Sequence, residues 1–131
     1  MQWPDYFPEN CPPENAQAAF GQVYRLVDND PPTPDDFQSW REQHPNEQCP
    51  KTVTECQACG LSVFTSISDI EVAQRKVRRL RNKKIAVGNL TIELGQILPT
   101  PSQNTGQSHH TWWIPNDTKP WTIFHVINFT E

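Results

Sequence analysis

The chain has 131 residues, 35% of them apolar, with thirteen prolines against five glycines and a net charge of −4. That length suits one domain with room for a real core, and no stretch approaches the roughly 18 apolar residues of a membrane span. The opening MQWPDYFPEN lacks the basic-then-apolar pattern of a secretory signal, so a soluble, cytoplasmic protein with no membrane partner is expected.

Met1 to Pro13 carries Trp3, Tyr6, Phe7 and several prolines, and reads as an extended segment laid over the domain. Residues 1–22 are taken as this proline-rich lead and 23–131 as a single domain. Pro13, Glu14 and the alanines before Gly21 predict a short helix. Val23-Tyr24-Arg25-Leu26-Val27 predicts a β-strand, stopped by Asp28 to Pro32 because proline has no N–H for a ladder. Thr33 and Pro34 suit the cap and first position of another short helix, and Pro45 to Pro50 reads as loop.

Gly60 to Ser66 predicts a strand leading into the clearest helix, residues 68–82. Ser68 and Glu71 suit a capping box, and Ile70, Ala73, Val77 and Leu80 form its apolar face. Ile85 to Val87 and Leu90 to Ile92 predict two short strands, and Pro99 to Gln107 a polar loop. Thr111 to Ile114 predicts a further strand on which one of Trp112 and Trp113 faces the core and the other a pocket or a base. Trp121 to Phe129 is nearly continuously apolar and predicts a central last strand, with His125 in the core. Strands dominate after residue 60, so the class is α+β.

One arginine inside an apolar strand needs an anionic partner, because burying it unpaired is expensive. Asp28, Asp30 and Asp36 are candidates, and a pyrophosphate suits its planar fork equally well. Strand, Arg25, acidic turn, Pro31-Pro32, then Asp36-Phe37-Gln38-Ser39 resembles the opening motif of ADP-ribosyltransferases of the cholera and pertussis toxin type. Phe64-Thr65-Ser66-Ile67-Ser68 before a helix is similar to that family's Ser-Thr-Ser strand end, with phenylalanine at the first place. The resemblance implies a small split β-sheet core with few helices and a site for NAD or a related nucleotide. It assigns Tyr24, Arg25, Thr65, Ser66, Trp112 and Trp113 to the cofactor. The family's late glutamate, whose carboxylate stabilises an oxocarbenium-like centre, has no counterpart in Gln107 to Trp113. His109 and His110 are the candidates for that ribose and for catalysis, whether ADP-ribose passes to a protein, a nucleic acid, a small molecule or water. Such activity fits a bacterial toxin, defence or modification factor. Ser66 and Ser68 also serve simply as helix caps.

Other constellations compete. Seven of the eleven basic residues lie between Arg75 and Lys84. Arg75, Arg78, Arg79, Lys83 and Lys84 form a solvated helix face or, in a non-catalytic binding module, a contact for nucleic acid or an acidic protein. Cys56 and Cys59 make a C-x-x-C that Cys49, with Cys11 or His44, could complete as a zinc site. No helix start is evident there to lower a thiol pKa, so reduced cysteines packed as small apolar side chains are the default. His109, His110 and His125 are a further metal set, and His109-x-Thr111 matches half of the paired H-x-T motif of two-histidine phosphoesterases.

Overall fold

A computed structural model describes residues 1–102 and 105–127. Seven strands are described: β1 (Gln17–Ala18), β2 (Gly21–Val27), β3 (Leu61–Phe64), β4 (Lys84–Leu90), β5 (Gln96–Pro99), β6 (His109–Trp113) and β7 (His125–Val126). They form one antiparallel sheet in the order β1-β5-β6-β3-β2-β4-β7, accompanied by α1 (Trp40–Gln43), α2 (Glu55–Ala58) and α3 (Ile67–Lys76). The class is therefore a small mixed α/β fold dominated by its sheet. No helix among the described residues is long and apolar enough to cross a membrane.

Alternation in β2 and β3 decides which side chains go where. Val23, Val27, Leu61, Val63, Ala86 and Trp112 face one way and pack with Phe37 and Phe124. Tyr24, Leu26, Phe64 and Ile85 face the other way, under Ile70 and Ala73 of α3. A third cluster, Cys11, Cys59 and Trp113 with Trp3 and Phe7, anchors the start of the chain. The two halves of the sheet meet narrowly. β2 and β4 run in register over seven residue pairs, whereas the register of β2 with β3 is the single pair Tyr24↔Phe64.

Several expected elements differ. Residues 14–20 form no helix. The stretch between Pro13 and Gly21 is too short to offset helix nucleation, and its backbone pairs instead as β1 on β5, with the Ala19 amide donating to Gly95 O. The strand segments at 85–87 and 90–92 resolve differently: β4 is continuous to Leu90, and Ile92–Leu94 is a 3-10 turn. Within β4, Gly88 lets the Phe124 ring lie against the strand, because a Cβ there would sit 2.9 Å from that ring. β5 lies in a stretch given no element from the sequence and takes the first residue, Pro99, of the expected loop; it is reached through Gly95 at φ 115°, a conformation open to glycine.

The clearest helix starts one residue early and stops six short, at Lys76. Its cap is Ser66, whose hydroxyl accepts from the Asp69 amide, and Val77 is extended at its end. The expected central last strand is absent from the described residues. Pro120–Thr122 is a 3-10 turn, Phe124 turns into the core, and β7 is a two-residue edge strand with His125 exposed. Asn128 and Phe129 lie outside the described residues. The reduced-thiol expectation is also corrected, since Cys11 and Cys56 form a disulfide and leave Cys49 and Cys59 free.

The Thr33–Pro34 turn forms as expected, as a 3-10 helix Pro34–Phe37. Asp36, buried at its end, accepts from the Asp28 amide at 2.7 Å, the Thr33 amide at 2.9 Å and Asn29 Nδ2 at 3.2 Å. Burial pushes this carboxyl up, but those donors together outweigh it and hold the group below its usual range. A depressed folded pKa contributes stability that is complete above the unfolded value and disappears as pH falls through the folded one. Unfolding followed between pH 6 and 2 is expected to show that acid-side loss, and Asp36→Asn to show less of it. Equal slopes for the two proteins would contradict this assignment.

Candidate functional site

Where β2 and β3 diverge, a cleft of about 710 Å³ opens between α1, α2 and the C-terminal end of α3. Its basic lining residues are Arg25, Arg79, Lys83 and His44, and no carboxylate lines it among the described residues. In a chain of net charge −4, such a wall gathers basic side chains in one place, with Lys83 paired to Asp28 at its rim. Ser62 and Thr111 of the facing strands also line it.

Arg25 sits at the junction. Its Nε donates to the Asp36 carbonyl at 3.0 Å and its Nη1 to the Ser62 carbonyl at 2.8 Å, while its guanidinium lies 5.5 Å from the Phe37 ring centre. The side chain thus bridges two strands where their register has ended. Burial draws the guanidinium down to about 10, with the Asp36 carboxylate pulling it back up, so it stays charged at neutral pH. Its direct hydrogen bonds are therefore to carbonyls, with the Asp36 charge nearby, and among the described residues no carboxylate pairs with it directly, one of the two partners the sequence left open.

No family model, curated protein or solved structure matches this chain. Geometry alone carries the site.

The expected NAD-site residues are not gathered together. Of the eight singled out, Tyr24, Arg25, Thr65, Ser66, His109, His110, Trp112 and Trp113, only Arg25 lines the cleft. Trp112 is fully buried, stacked on Phe124 at 5.9 Å, with its Nε1 donating to Leu94 O. Trp113 is equally buried and donates to Cys56 O. Neither indole thus presents a face to a base or a pocket, and the expectation that one would do so is corrected. His110 shares the Arg25 face of the sheet, and its Nδ1 lies 2.7 Å from Ser108 O; His109 is on the opposite face. Tyr24 packs under α3, and Thr65 is exposed, its amide donating to Ser108 O.

The basic run is divided by the early end of α3. Arg79 and Lys83 turn to the cleft. Lys83 pairs with Asp28 at 3.0 Å, and Lys84 donates to the Asp28 carbonyl at 3.2 Å. Arg75, Arg78 and Lys84 are exposed and do not line the cleft. Of the thiols, Cys56 is committed to Cys11, and burial raises Cys59 to about 11, so the C-x-x-C has no free thiol pair and no ready thiolate. Contrary to expectation a helix, α2, does start there, with Thr54 as its cap.

Sequence reasoning missed two residues of this region, Ser62 and Thr100. Ser62 Oγ lies 2.9 Å from His109 Nε2, and His109 Nδ1 lies 2.8 Å from the Thr100 carbonyl and 2.9 Å from its hydroxyl. The signal was Ser62 itself, a polar residue between Leu61 and Val63 on an otherwise apolar strand.

Proposed function

We propose that the cleft binds a small phosphate-bearing ligand, a nucleotide being the first candidate, with Arg25, Arg79 and Lys83 holding the phosphate. What supports this is the composition of the wall: four basic side chains and no carboxylate among its described lining residues. A guanidinium fork suits phosphate oxygens in a way a point charge does not. The resemblance to toxin-type ADP-ribosyltransferases points to the same arginine and makes NAD a ligand to try. Transfer or hydrolysis at the nicotinamide ribose would require His109 or His110 in the cleft, and neither lines it. Nucleotide binding is thus the part of that resemblance which the geometry supports.

A second reading has one observation behind it. Arg75, Arg78, Arg79 and Lys84 are exposed within ten residues, as a contact for nucleic acid or an acidic protein would need. Salt separates the two readings, because affinity resting on many exposed phosphate contacts falls by orders of magnitude between 50 and 200 mM salt.

Calorimetric titration with pyrophosphate, AMP and NAD is expected to give saturable one-site binding. Arg79→Ala with Lys83→Ala should weaken it by at least about tenfold, since charge-assisted bonds contribute roughly 1.5–3 kcal/mol each. Arg75→Ala with Arg78→Ala should leave it within about twofold. Absence of binding at millimolar ligand, or equal losses in both pairs, would refute the cleft as the site.

A further inference from the structure

We propose that Ser62 and His109 form a nucleophile–base pair that hydrolyses carboxylic esters at the wall of the cleft. The placement follows from the pairing of β3 with β6. Ser62 faces Thr111 and Phe64 faces His109, so Ser62 and His109 are diagonal neighbours on one face of the sheet. A serine and an imidazole can bridge such a diagonal, and here Oγ and Nε2 are 2.9 Å apart. Ser62 is exposed and lines the cleft, while His109 is only 6% exposed behind it.

The tautomer follows from the partners on the far side of the ring. A carbonyl only accepts, so Nδ1, 2.8 Å from Thr100 O, carries the proton. In the neutral imidazole Nε2 then holds the lone pair, directed at the Ser62 hydroxyl. Burial holds His109 below its ordinary pKa, with the Thr100 bond pulling the other way and nearby His110 lowering it slightly further, so the neutral form prevails at pH 7. The Phe64 ring packs edge-on at 5.3 Å and helps fix the imidazole plane. Nucleophile, base and a third group that orients the base are the three parts such a site needs.

Arg25 supplies a fourth. Its guanidinium donates to the Ser62 carbonyl and lines the same cleft from the other face of the sheet, so its positive charge lies beside the nucleophile's backbone and favours an anionic substrate there. In the first half-reaction Ser62 Oγ bonds to the ester carbonyl carbon as its proton passes to His109 Nε2. The carbonyl π pair moves onto oxygen. Collapse breaks the ester C–O bond, the leaving alkoxide takes the proton from His109, and the acyl group stays on Ser62. Water is the second reactant: it attacks the acyl carbon, gives a proton to His109, and that proton returns to Ser62 Oγ as the carboxylic acid departs. Resting on the anion-binding reading of the cleft, the substrate class is esters that also carry a negative group, which Arg79 and Lys83 would hold.

Diisopropyl fluorophosphate, 4-nitrophenyl acetate and 4-nitrophenyl succinate test this on the whole chain. One adduct is expected, on Ser62 by peptide mass. It should be absent from Ser62→Ala, an exposed position at which circular dichroism should be unchanged. Hydrolysis should fall about 100-fold or more in Ser62→Ala and in His109→Gln, and the wild-type rate should rise with pH to a plateau with its midpoint below 6.5. The succinate ester should be preferred, and that preference should vanish in Arg79→Ala with Lys83→Ala. No preference in the unsubstituted protein, or a preference that survives in Arg79→Ala with Lys83→Ala, with labelling of Ser62 intact, would refute only the anion-binding part. No adduct on Ser62, or hydrolysis unchanged in Ser62→Ala, would overturn the pair, while pyrophosphate binding by Ser62→Ala would show the cleft reading still standing.

Discussion

Reduction of the Cys11–Cys56 disulfide is expected to lower the melting temperature by roughly 10 to 15 °C. The bond closes a sequence separation of 45 residues, for which loop-closure entropy in the unfolded chain gives about 4 kcal/mol. Unfolding entropy near 2.1 cal/mol/K per residue over 131 residues converts that to the stated shift. The bond also ties the aromatic start of the chain to the body. Cys11 packs with Cys59 and Trp113, and the Trp113 indole donates to the Cys56 carbonyl at 2.8 Å. Scanning calorimetry with and without a phosphine reductant measures the effect, and Cys11→Ser should reproduce it without reductant. A shift under about 2 °C in both would mean that the bond constrains little. Disulfides persist in oxidising surroundings, so the cytoplasmic expectation, which goes with reduced thiols, remains a proposal without that support.

Trp112→Ala should cost about 3–5 kcal/mol, the range for removing a large buried ring. Trp112 is fully buried between Phe37 and Phe124, with ring centres at 6.2 and 5.9 Å. Its loss would also strip the Leu94 carbonyl of a 2.8 Å partner, a further penalty of about 1–3 kcal/mol if water does not enter. Urea unfolding is the measurement. A loss below about 1 kcal/mol would fit an indole offered to a ligand, the role expected from the sequence, and would contradict the packed core.

What the sequence made legible were segments whose chemistry is local. β2, β3 and β6 announced themselves by β-favouring residues, the Pro34 turn by Thr33 and proline, and α3 by serine caps and the Ile70–Ala73 spacing. What stayed hidden depends on remote pairing. β1 is two residues long and exists through its register with β5, and β5 begins beyond a glycine at φ 115°. The apolar tail after Trp121 looked like a central strand because its hydrophobicity serves packing of Phe124 on Trp112 and Phe37 and of Trp121, Val126 and Ile127 on the core, with only a two-residue edge ladder. Arg25 was noticed from its context, but whether its fork met carboxylate, carbonyl or ligand depended on the divergence of β2 from β3. The Ser62–His109 contact spans 47 positions and appears only once β3 and β6 are aligned.

The most direct test of the cleft as a phosphate site is an amide NMR titration with pyrophosphate at 150 mM salt. Saturable shifts are expected to concentrate at Arg25, Ser62, Arg79 and Lys83, with the Arg75–Arg78 segment little changed. Shifts confined to that exposed basic segment, or shifts that never saturate, would contradict the account.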